Sequence, residues 1–405
     1  MQGDTQDSAR GKRDRIVTVS LLILCQSFQA LTIGGIALFL PLIRKDLELS
    51  FTQGGTLSAA TILVYALMQI PAGYLADRFG SKRLFVIGVL GTTTLSLTFG
   101  LVSEYWQALA NQTLSGLFRA FLFAPGLTLL ASWFPPHRRA TAMALFLVGG
   151  FAGNFVLDIV GPLLVTEFGW RFPFISFASV GILTSLVFLR FGKEPPRTSK
   201  QQKVGMFEAF KLFRYRVMWV CGVIQYVRLA TMQGIAFWLP SLLVDEKGLS
   251  LQVTGLIIAL RAAIIAPSTI LGGYISDKLK NPPLVIGFSL IILAITTALF
   301  GLAANTTVLI ALIAINAVFV QLYFGPLFAV PVEILGLDKS GTSTGFSNLF
   351  ANVGSFSFVY LLGVLKDTTG FFESGFYAIA GCCVLGLAFT VLLARMRRKV
   401  TMPTR

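Results

Sequence analysis

Twelve runs of apolar residues with the length of a membrane span divide this chain of 405 residues. An α-helix needs about 20 apolar residues to cross the hydrocarbon core of a bilayer. Hydrophobic residues make up 55% of the chain and charged residues only 13%, so we predict an all-α membrane protein with twelve transmembrane helices. The predicted spans are 16–42, 51–76, 84–103, 106–133, 140–166, 171–191, 216–243, 251–276, 283–303, 306–334, 342–365 and 371–394.

The 33 Lys and Arg residues are distributed unequally between the loops. Three arginines lie inside apolar runs, and the five residues on the poorer side are Arg44, Lys45, Arg171, Lys247 and Lys366. All the others, including those of both termini, fall on the opposite side. Because cytoplasmic loops are rich in Lys and Arg, we predict a multi-pass protein of the cell inner membrane with both termini in the cytoplasm. The net charge of +15 then reflects topology, and no nucleic-acid partner is expected.

The chain is internally repeated. The segment GYLADRFGSKRL (Gly73–Leu84) recurs as GYISDKLKNPPL (Gly273–Leu284), and a weaker echo links Arg138–Phe155 to Lys339–Phe356. Six spans copied in one orientation indicate a parallel duplication. We therefore predict two six-helix bundles related by a pseudo-twofold axis around a central pathway. The predicted divisions are a tail at 1–15, bundles at 16–192 and 216–395, a cytoplasmic linker at 193–215, and a tail at 396–405.

Three arginines lie deep inside apolar runs: Arg119, Arg228 and Arg261. With Asp158, they fall about 21–27 Å from the predicted cytoplasmic ends at 1.5 Å per helical residue. A charge at this depth costs at least ~2.5 kcal/mol and normally faces a cavity or a partner. The second half has no acidic residue at the depth of Arg228 and Arg261. This imbalance predicts a site that binds an anion, with Arg119 assisting.

Two interpretations of Asp158 and Arg119 remain open at this stage. Arg119 either pairs with Asp158 or contacts the substrate, and Asp158 either carries a coupling proton or is a static counter-ion. Polar residues in neighbouring spans are either substrate contacts or links between helices. The candidate lining residues are Gln26, Gln29, Asn154, Gln225, Gln321, Tyr323, Asn348 and Asn352.

The loop between spans 2 and 3 resembles a motif of the major facilitator superfamily, G-x-L-x-D-R-x-G-R-K. The matching residues are Gly73, Leu75, Asp77, Arg78, Gly80 and Lys82, with Ser81 at the first basic position. The second copy keeps Gly273, Asp277 and Lys278 but lacks the later glycine. Trp133–Pro136 after span 4 is similar to a feature of the organic-anion members. The resemblance covers essentially the whole chain.

This resemblance implies a gating role for the loop residues. Asp77 is expected to face the amino end of span 11 near Ser340–Thr342, where exposed N–H groups favour an anion. Asp277 would face the start of span 5 near Arg139–Thr141. Alternatively, these residues only cap and solvate the loops. Span 4 departs from the family because Gln112 stands where an arginine is common, so that arginine's role in proton coupling is not carried over.

Together these features predict a secondary active transporter of a small organic anion, such as a mono- or dicarboxylate or a sugar acid. The resemblance implies rocker-switch alternating access. From the charge imbalance, Arg228 and Arg261 are expected to hold the substrate, and coupling is expected to be proton symport or anion exchange. A drug:proton antiporter of the same fold is the alternative, although such a site normally needs membrane carboxylates. His137 is the only histidine, and no nucleotide loop is present. We expect a monomer with no cofactor, no metal and no enzymatic activity.

Overall fold

The computed structural model describes residues 2–135, 139–194, 214–303, 305–335 and 340–401. These residues form fourteen α-helices and a π-helical turn at Leu242–Glu246, with no strand among them. The helices are α1 (Gln2–Asp46), α2 (Phe51–Phe79), α3 (Ser81–Phe99), α4 (Tyr105–Ala120), α5 (Phe123–Ser132), α6 (Arg139–Phe168), α7 (Arg171–Phe191), α8 (Arg216–Ser241), α9 (Leu251–Leu279), α10 (Pro282–Leu302), α11 (Thr306–Leu322), α12 (Phe324–Leu335), α13 (Ser340–Thr369) and α14 (Glu373–Thr401).

Each predicted span coincides with one helix or with two consecutive helices. In the described part of the chain, eleven helical segments are long and apolar enough to cross a membrane. The remaining span is α3, which carries Lys82 and Arg83 in its first turn. The prediction of a multi-pass, all-α membrane protein is therefore confirmed.

Spans 4 and 10 are each broken in the middle, at equivalent positions of the repeat. Proline has no N–H, and its ring clashes with the carbonyl four residues earlier. Pro125 stands four residues after Phe121, at the break between α4 and α5, and Pro326 stands four residues after Leu322, where α11 ends. These breaks were not predicted, although the prolines that cause them are visible in the sequence.

By its internal packing the chain divides into two compact units. The first comprises residues 1–47 and 60–202, and the second comprises residues 48–59 and 203–405. The division near residue 202 falls inside the predicted linker at 193–215, of which 195–213 lie outside the described residues. Residues 48–59, which the sequence analysis assigned to the first bundle, pack with the second unit.

A carboxylate fixes the amino end of α2 within the second unit. Asp367 accepts hydrogen bonds from the backbone N–H groups of Phe51, at 3.0 Å, and Thr52, at 2.7 Å. These are N–H groups that a helix start leaves without an intrahelical acceptor. The Phe51 ring also packs against Trp238 and Phe372, with centroids 5.9 and 5.3 Å apart. The cap and the aromatic cluster explain why this segment belongs to the second unit.

The span that starts with α8 is the most enclosed of the eleven segments. Of its apolar window 72% is buried, against 50% or less in each of the other ten. It packs chiefly against α13 and α14. A helix that is apolar on all sides suits such a position, and polar residues within it are held away from lipid.

Candidate functional site

Arg228 lies in the middle of α8 and is 5% exposed. Its Nε donates to Gln225 Oε1 at 2.8 Å, and its Nη1 donates to Gln321 Oε1 at 3.3 Å. The guanidinium also lies over the Phe324 ring, 4.8 Å from the centroid. The sequence analysis gave no neutral partners for Arg228, and the structure supplies two amide oxygens and a ring. None of these partners is negatively charged, however, and no ion pair of Arg228 occurs among the described residues.

Two hydrogen-bond donors beside Arg228 are buried without an acceptor in the described part of the chain. They are the Nε2 amide of Gln225, which is 1% exposed, and the hydroxyl of Tyr323, which is fully buried. Tyr323 interacts electrostatically with Arg228. Buried polar groups in folded proteins almost always find a partner. The cluster of Gln225, Arg228, Gln321 and Tyr323, which we call the α8 polar cluster, is thus rich in donors and carries a net positive charge.

Arg261 in α9 contacts the same helix one turn further along. It is 5% exposed, and its Nη2 donates to the backbone carbonyl of Met232 at 3.3 Å. Met232 follows Arg228 by four residues, so both arginines meet α8 at neighbouring turns. Two of the three predicted arginines therefore come together around one helix of the second unit.

Arg119 occupies the last turn of α4, next to the helix break. Its guanidinium lies over the Tyr65 ring, 5.2 Å from the centroid. No ion pair between Arg119 and a carboxylate occurs among the described residues, so the proposed pair with Asp158 is not formed. A cation is favoured at this end of a helix by the exposed carbonyl groups. Tyr65 was missed in the sequence because an isolated Tyr in an apolar run gives no signal of its contacts.

The polar residues predicted for the first half lie in α1 and α6. Asp158 is buried in α6, at 6% exposure, and Gln29 in α1 at 7%. The Asn154 amide oxygen in α6 reaches α1, where it would lie 2.8 Å from a Cβ built on Gly34. Gln26 in α1 reaches α6 in turn, and its Oε1 is buried without a donor in the described residues. Gln26 and Asn154 therefore lie where α1 packs against α6.

Asn348 and Asn352 share a face of α13, as predicted, but they interact through the backbone. The Asn352 amide donates to the carbonyl of Asn348 at 2.8 Å. Such a bond within one helix leaves the side chain only partly available to a ligand. The spacing of the two asparagines alone does not distinguish this local bond from a substrate contact.

In the repeated loop of the first half, Gly80 has a φ of 96°, which side chains rarely adopt. The Glu194 carboxylate accepts from the backbone N–H of Ser81 at 3.2 Å and so caps the start of α3. Lys82 Nζ donates to the carbonyl of Leu189 at 3.2 Å. These bonds tie the start of α3 to the end of α7. The cap by Glu194 was not foreseen.

The remaining loop residues are open to their surroundings. Arg78 is exposed, with its guanidinium 5.4 Å from the centroid of the Phe79 ring. No atom lies within 4 Å of a Cβ built on Gly73 or on Gly273. Asp277 is exposed. The side chain of Asp77 and those of its expected partners at Ser340–Thr342 lie outside the described residues, as do those of Arg139–Thr141, so both latches stay predictions.

Gln112, at the position where the family often has an arginine, is buried in the first unit. Its backbone carbonyl and its side-chain oxygen accept from the Thr61 hydroxyl at 2.9 and 3.2 Å. Its amide donates to Asn111 at 3.2 Å. A neutral amide is thus satisfied where a cation would need a counter-charge. The positive charge of span 4 lies instead at Arg119, two turns deeper.

Known proteins resemble this chain over nearly its whole length. It is 26% identical to the hexuronate transporter of Bacillus subtilis (strain 168), over 95% of this chain and 94% of that protein. It is 22% identical to the D-galactonate transporter of Escherichia coli O6:H1, over 97% and 98%. Its fold matches an inward-facing, unoccupied crystal structure of a bacterial homologue of the human lysosomal transporter Spinster, with a TM-score of 0.80 at 20% identity over 94% and 97%. The profile of the Major Facilitator Superfamily matches residues 22–359, and this chain is a member of that family of transporters.

Proposed function

We propose that this transporter carries a small organic anion across the cell inner membrane, and that Arg228 holds the anion's carboxylate. The observation that carries the proposal is the α8 polar cluster, in which a buried guanidinium has only neutral partners. A buried charge is costly unless an opposite charge and hydrogen bonds compensate it. The planar guanidinium suits bidentate binding of a carboxylate. An anionic substrate would supply the missing charge.

Sugar acids are the substrate class that we propose first. Such molecules combine one or two carboxylates with several hydroxyl groups. The unsatisfied Gln225 amide and Tyr323 hydroxyl offer hydrogen bonds of the kind that a hydroxylated acid needs. The relatives named as hexuronate and D-galactonate transporters point to the same class. In this proposal Arg261 and Arg119 add positive charge along the path of the anion.

We propose rocker-switch alternating access as the mechanism, in which contacts at each membrane face break in turn. The bond of Asp367 to the amino end of α2 is our candidate contact for one face. The predicted latch of Asp77 on the amino end of α13 is the counterpart for the other. In both cases a carboxylate at the end of one helix binds the N–H groups that begin another. Both carboxylate contacts are electrostatic, and at Asp367 the packing of Phe51 against Trp238 and Phe372 has to be released as well.

Coupling is proposed to run through Asp158 or to consist of anion exchange. Asp158 is a buried acidic residue within the spans of the first unit, and intramembrane acids often serve as proton relays. In proteoliposomes, a proton symporter accumulates substrate when an inward proton gradient is imposed, and Asp158→Asn abolishes that accumulation. An exchanger instead requires a second anion inside the vesicle and keeps its exchange rate in Asp158→Asn.

The central test is uptake of labelled hexuronates and aldonates by proteoliposomes, with the neutral parent sugars as comparison. Arg228→Gln is expected to weaken the affinity for the acid about 10- to 100-fold, because a bond to a charged group contributes ~1.5–3 kcal/mol. Arg228→Lys keeps the charge but loses the planar guanidinium that binds a carboxylate through two N–H groups, so partial activity is expected. Arg216→Gln, at the exposed start of the same helix, is the matched control and should transport normally.

Normal acid uptake by Arg228→Gln would refute the assignment of Arg228. Equal uptake of acids and neutral sugars would refute anion selectivity. Efflux of cationic dyes without any acid uptake would favour the antiporter alternative instead.

The gate contacts have their own prediction. Asp367→Asn and Asp77→Asn should each lower the transport rate several-fold, because each removes a charge from a helix start worth ~0.3–1 kcal/mol. Substrate affinity, measured by thermal shift, should stay near that of the wild type. Unchanged transport rates in both variants would contradict the proposed gates.

A further inference from the structure

A groove of about 570 Å³ runs along the surface of the second unit. It follows α10 and α14 from the turn at which α9 ends. Its volume falls within the range of about 300–1,000 Å³ that is usual for ligand sites. The apolar walls consist of Leu284, Phe288, Ile291, Leu387 and Val391. Neither the predicted substrate site nor the gate contacts use any of these residues.

The position of the groove indicates that lipid covers it. Both α10 and α14 are long, apolar, membrane-spanning helices. Leu284 is 55% and Phe288 54% exposed in the protein alone. On a transmembrane helix such side chains face hydrocarbon rather than water. An acyl chain is therefore the occupant that the walls of the groove fit.

The mouth of the groove is cationic. Lys280 lies there in a left-handed backbone conformation, with φ at 51°. Its ammonium is exposed, and no hydrogen-bond acceptor contacts it among the described residues. Arg397, also at the mouth, donates to both carboxylate oxygens of Glu333 at 3.0–3.1 Å and to the Lys280 carbonyl at 3.2 Å. Arg397 thus fixes the turn, and Lys280 presents an uncompensated positive charge.

The charges on the ends of α9 and α14 are mostly positive. Lys278 and Arg395 are exposed on these helices, as is the acid Asp277, and Glu333 on α12 already binds Arg397. Basic pockets between transmembrane helices attract anionic headgroups. The ends of α9 and α14 form this mouth, which is on the cytoplasmic side in the orientation predicted from Lys and Arg.

We propose that the groove binds an anionic phospholipid, with one acyl chain between α10 and α14 and the phosphate at Lys280. Each CH₂ group buried along the walls adds hydrophobic stabilisation, and Lys280 supplies the preference for a negative headgroup. Gly287 forms part of the floor. A Cβ built there would lie 3.4 Å from Leu387 and 3.7 Å from Thr390, so alanine fits, whereas leucine would project into the space of the acyl chain.

The test is native mass spectrometry of the full-length protein released from nanodiscs of mixed phosphatidylglycerol and phosphatidylcholine. In the wild type we expect phosphatidylglycerol to be retained about fivefold more than phosphatidylcholine, the preference that one lysine provides. Lys280→Asn removes the charge while asparagine tolerates the left-handed backbone, so this preference should disappear. Arg83→Gln, which removes an exposed cation on α3 of the first unit, is the control and should keep it.

A second pair of variants tests the acyl groove. Gly287→Leu should lose retention of both lipids, whereas Gly287→Ala should bind as the wild type does, and thermal unfolding verifies that both variants are folded. Equal retention of the two lipids by the wild type would overturn the proposal. Undiminished retention by Gly287→Leu would also overturn it, because the headgroup would then bind without the groove. A dimer whose formation depends on Phe288 would instead assign this face to a second copy.

Discussion

The chain turns at the same position in both copies of the repeated loop, but the contacts made after the turn differ. Gly80 and Lys280 stand 200 residues apart, and both have a positive φ, of 96° and 51°. After Gly80, the Glu194 carboxylate caps the start of α3 and Lys82 binds the end of α7. After Lys280, α10 begins with two prolines, which have no N–H groups to be capped. In the first copy, side chains bind the start of α3. In the second copy, the Lys280 ammonium and the apolar groove beside it remain exposed.

This difference shows that the duplication preserves the backbone turn while the chemistry around it diverges. The two turns also differ in ψ, which is 138° at Gly80 and 26° at Lys280. The second value lies in the left-handed helical region that a side chain can enter at a cost, whereas the first is accessible essentially only to glycine. A lysine can therefore replace the family's glycine in the second copy but not in the first.

Of the substitutions at these two turns, Gly80→Lys should have the largest effect on stability. Gly80→Lys is expected to lower the free energy of unfolding by about 1–3 kcal/mol, because it forces a side chain into a glycine conformation. Lys280→Gly should change it little, since relief of left-handed strain and the greater freedom of glycine in the unfolded chain nearly cancel. Thermal unfolding in detergent measures both. Gly73→Ala, where a Cβ meets open space, is the control.

Equal destabilisation by Gly80→Lys and Lys280→Gly would contradict the assigned difference between the two turns. A loss of stability in Gly73→Ala would show that any change in this loop region is harmful, whatever the backbone angle.

Arg119 in the first half and Arg228 in the second each lie over an aromatic ring, Tyr65 and Phe324 respectively. A cation–π contact contributes ~0.5–2 kcal/mol, so Phe324→Leu should raise the KM for the transported acid about 2- to 30-fold. Tyr65→Leu should have a similar effect if Arg119 also contacts the substrate. The conservative changes Phe324→Tyr and Tyr65→Phe keep the ring and should behave as the wild type. An effect of Phe324→Leu alone would limit Arg119 to a structural role.

The smallest effect is expected for the cap of α3. Glu194→Gln removes a negative charge from a helix start, which should lower the free energy of unfolding by about 0.3–1 kcal/mol. Glu167→Gln removes an exposed acid from the carboxyl end of α6 and should not destabilise the protein. Chemical denaturation of the two variants checks this, and equal losses would argue against a specific cap.

Much of the fold was predictable because membrane spans are recognised from the length and hydropathy of apolar runs. Lipid offers no hydrogen bonds, so long apolar runs must become helices, and all twelve runs did. The breaks in spans 4 and 10 were predictable in principle from Pro125 and Pro326. The transfer of residues 48–59 to the second unit was not, because it depends on Asp367, more than 300 residues away in the chain.

The residues of the candidate site were predicted from their type, but the residues that contact them were not. Arg228 stood out because an arginine in an apolar run needs an explanation, and Gln225 follows from its spacing of three residues along the helix. Phe324 and Tyr65 could not be recognised as the rings beneath the arginines. Each ring belongs to a different helix from its arginine and lies far from it in sequence. Aromatic residues are also common throughout this chain.

By itself the sequence determined the membrane class, the number of spans, the internal duplication and the presence of arginines inside apolar runs. These properties follow from hydropathy and from the cost of charge in lipid, which depend on residues taken one span at a time. Only the tertiary structure decided which groups meet Arg228, which of its neighbouring donors lack an acceptor, and where the repeated loop stays open. Those outcomes depend on distances between helices remote in sequence, because a hydrogen bond or a cation–π contact forms only within a few ångströms.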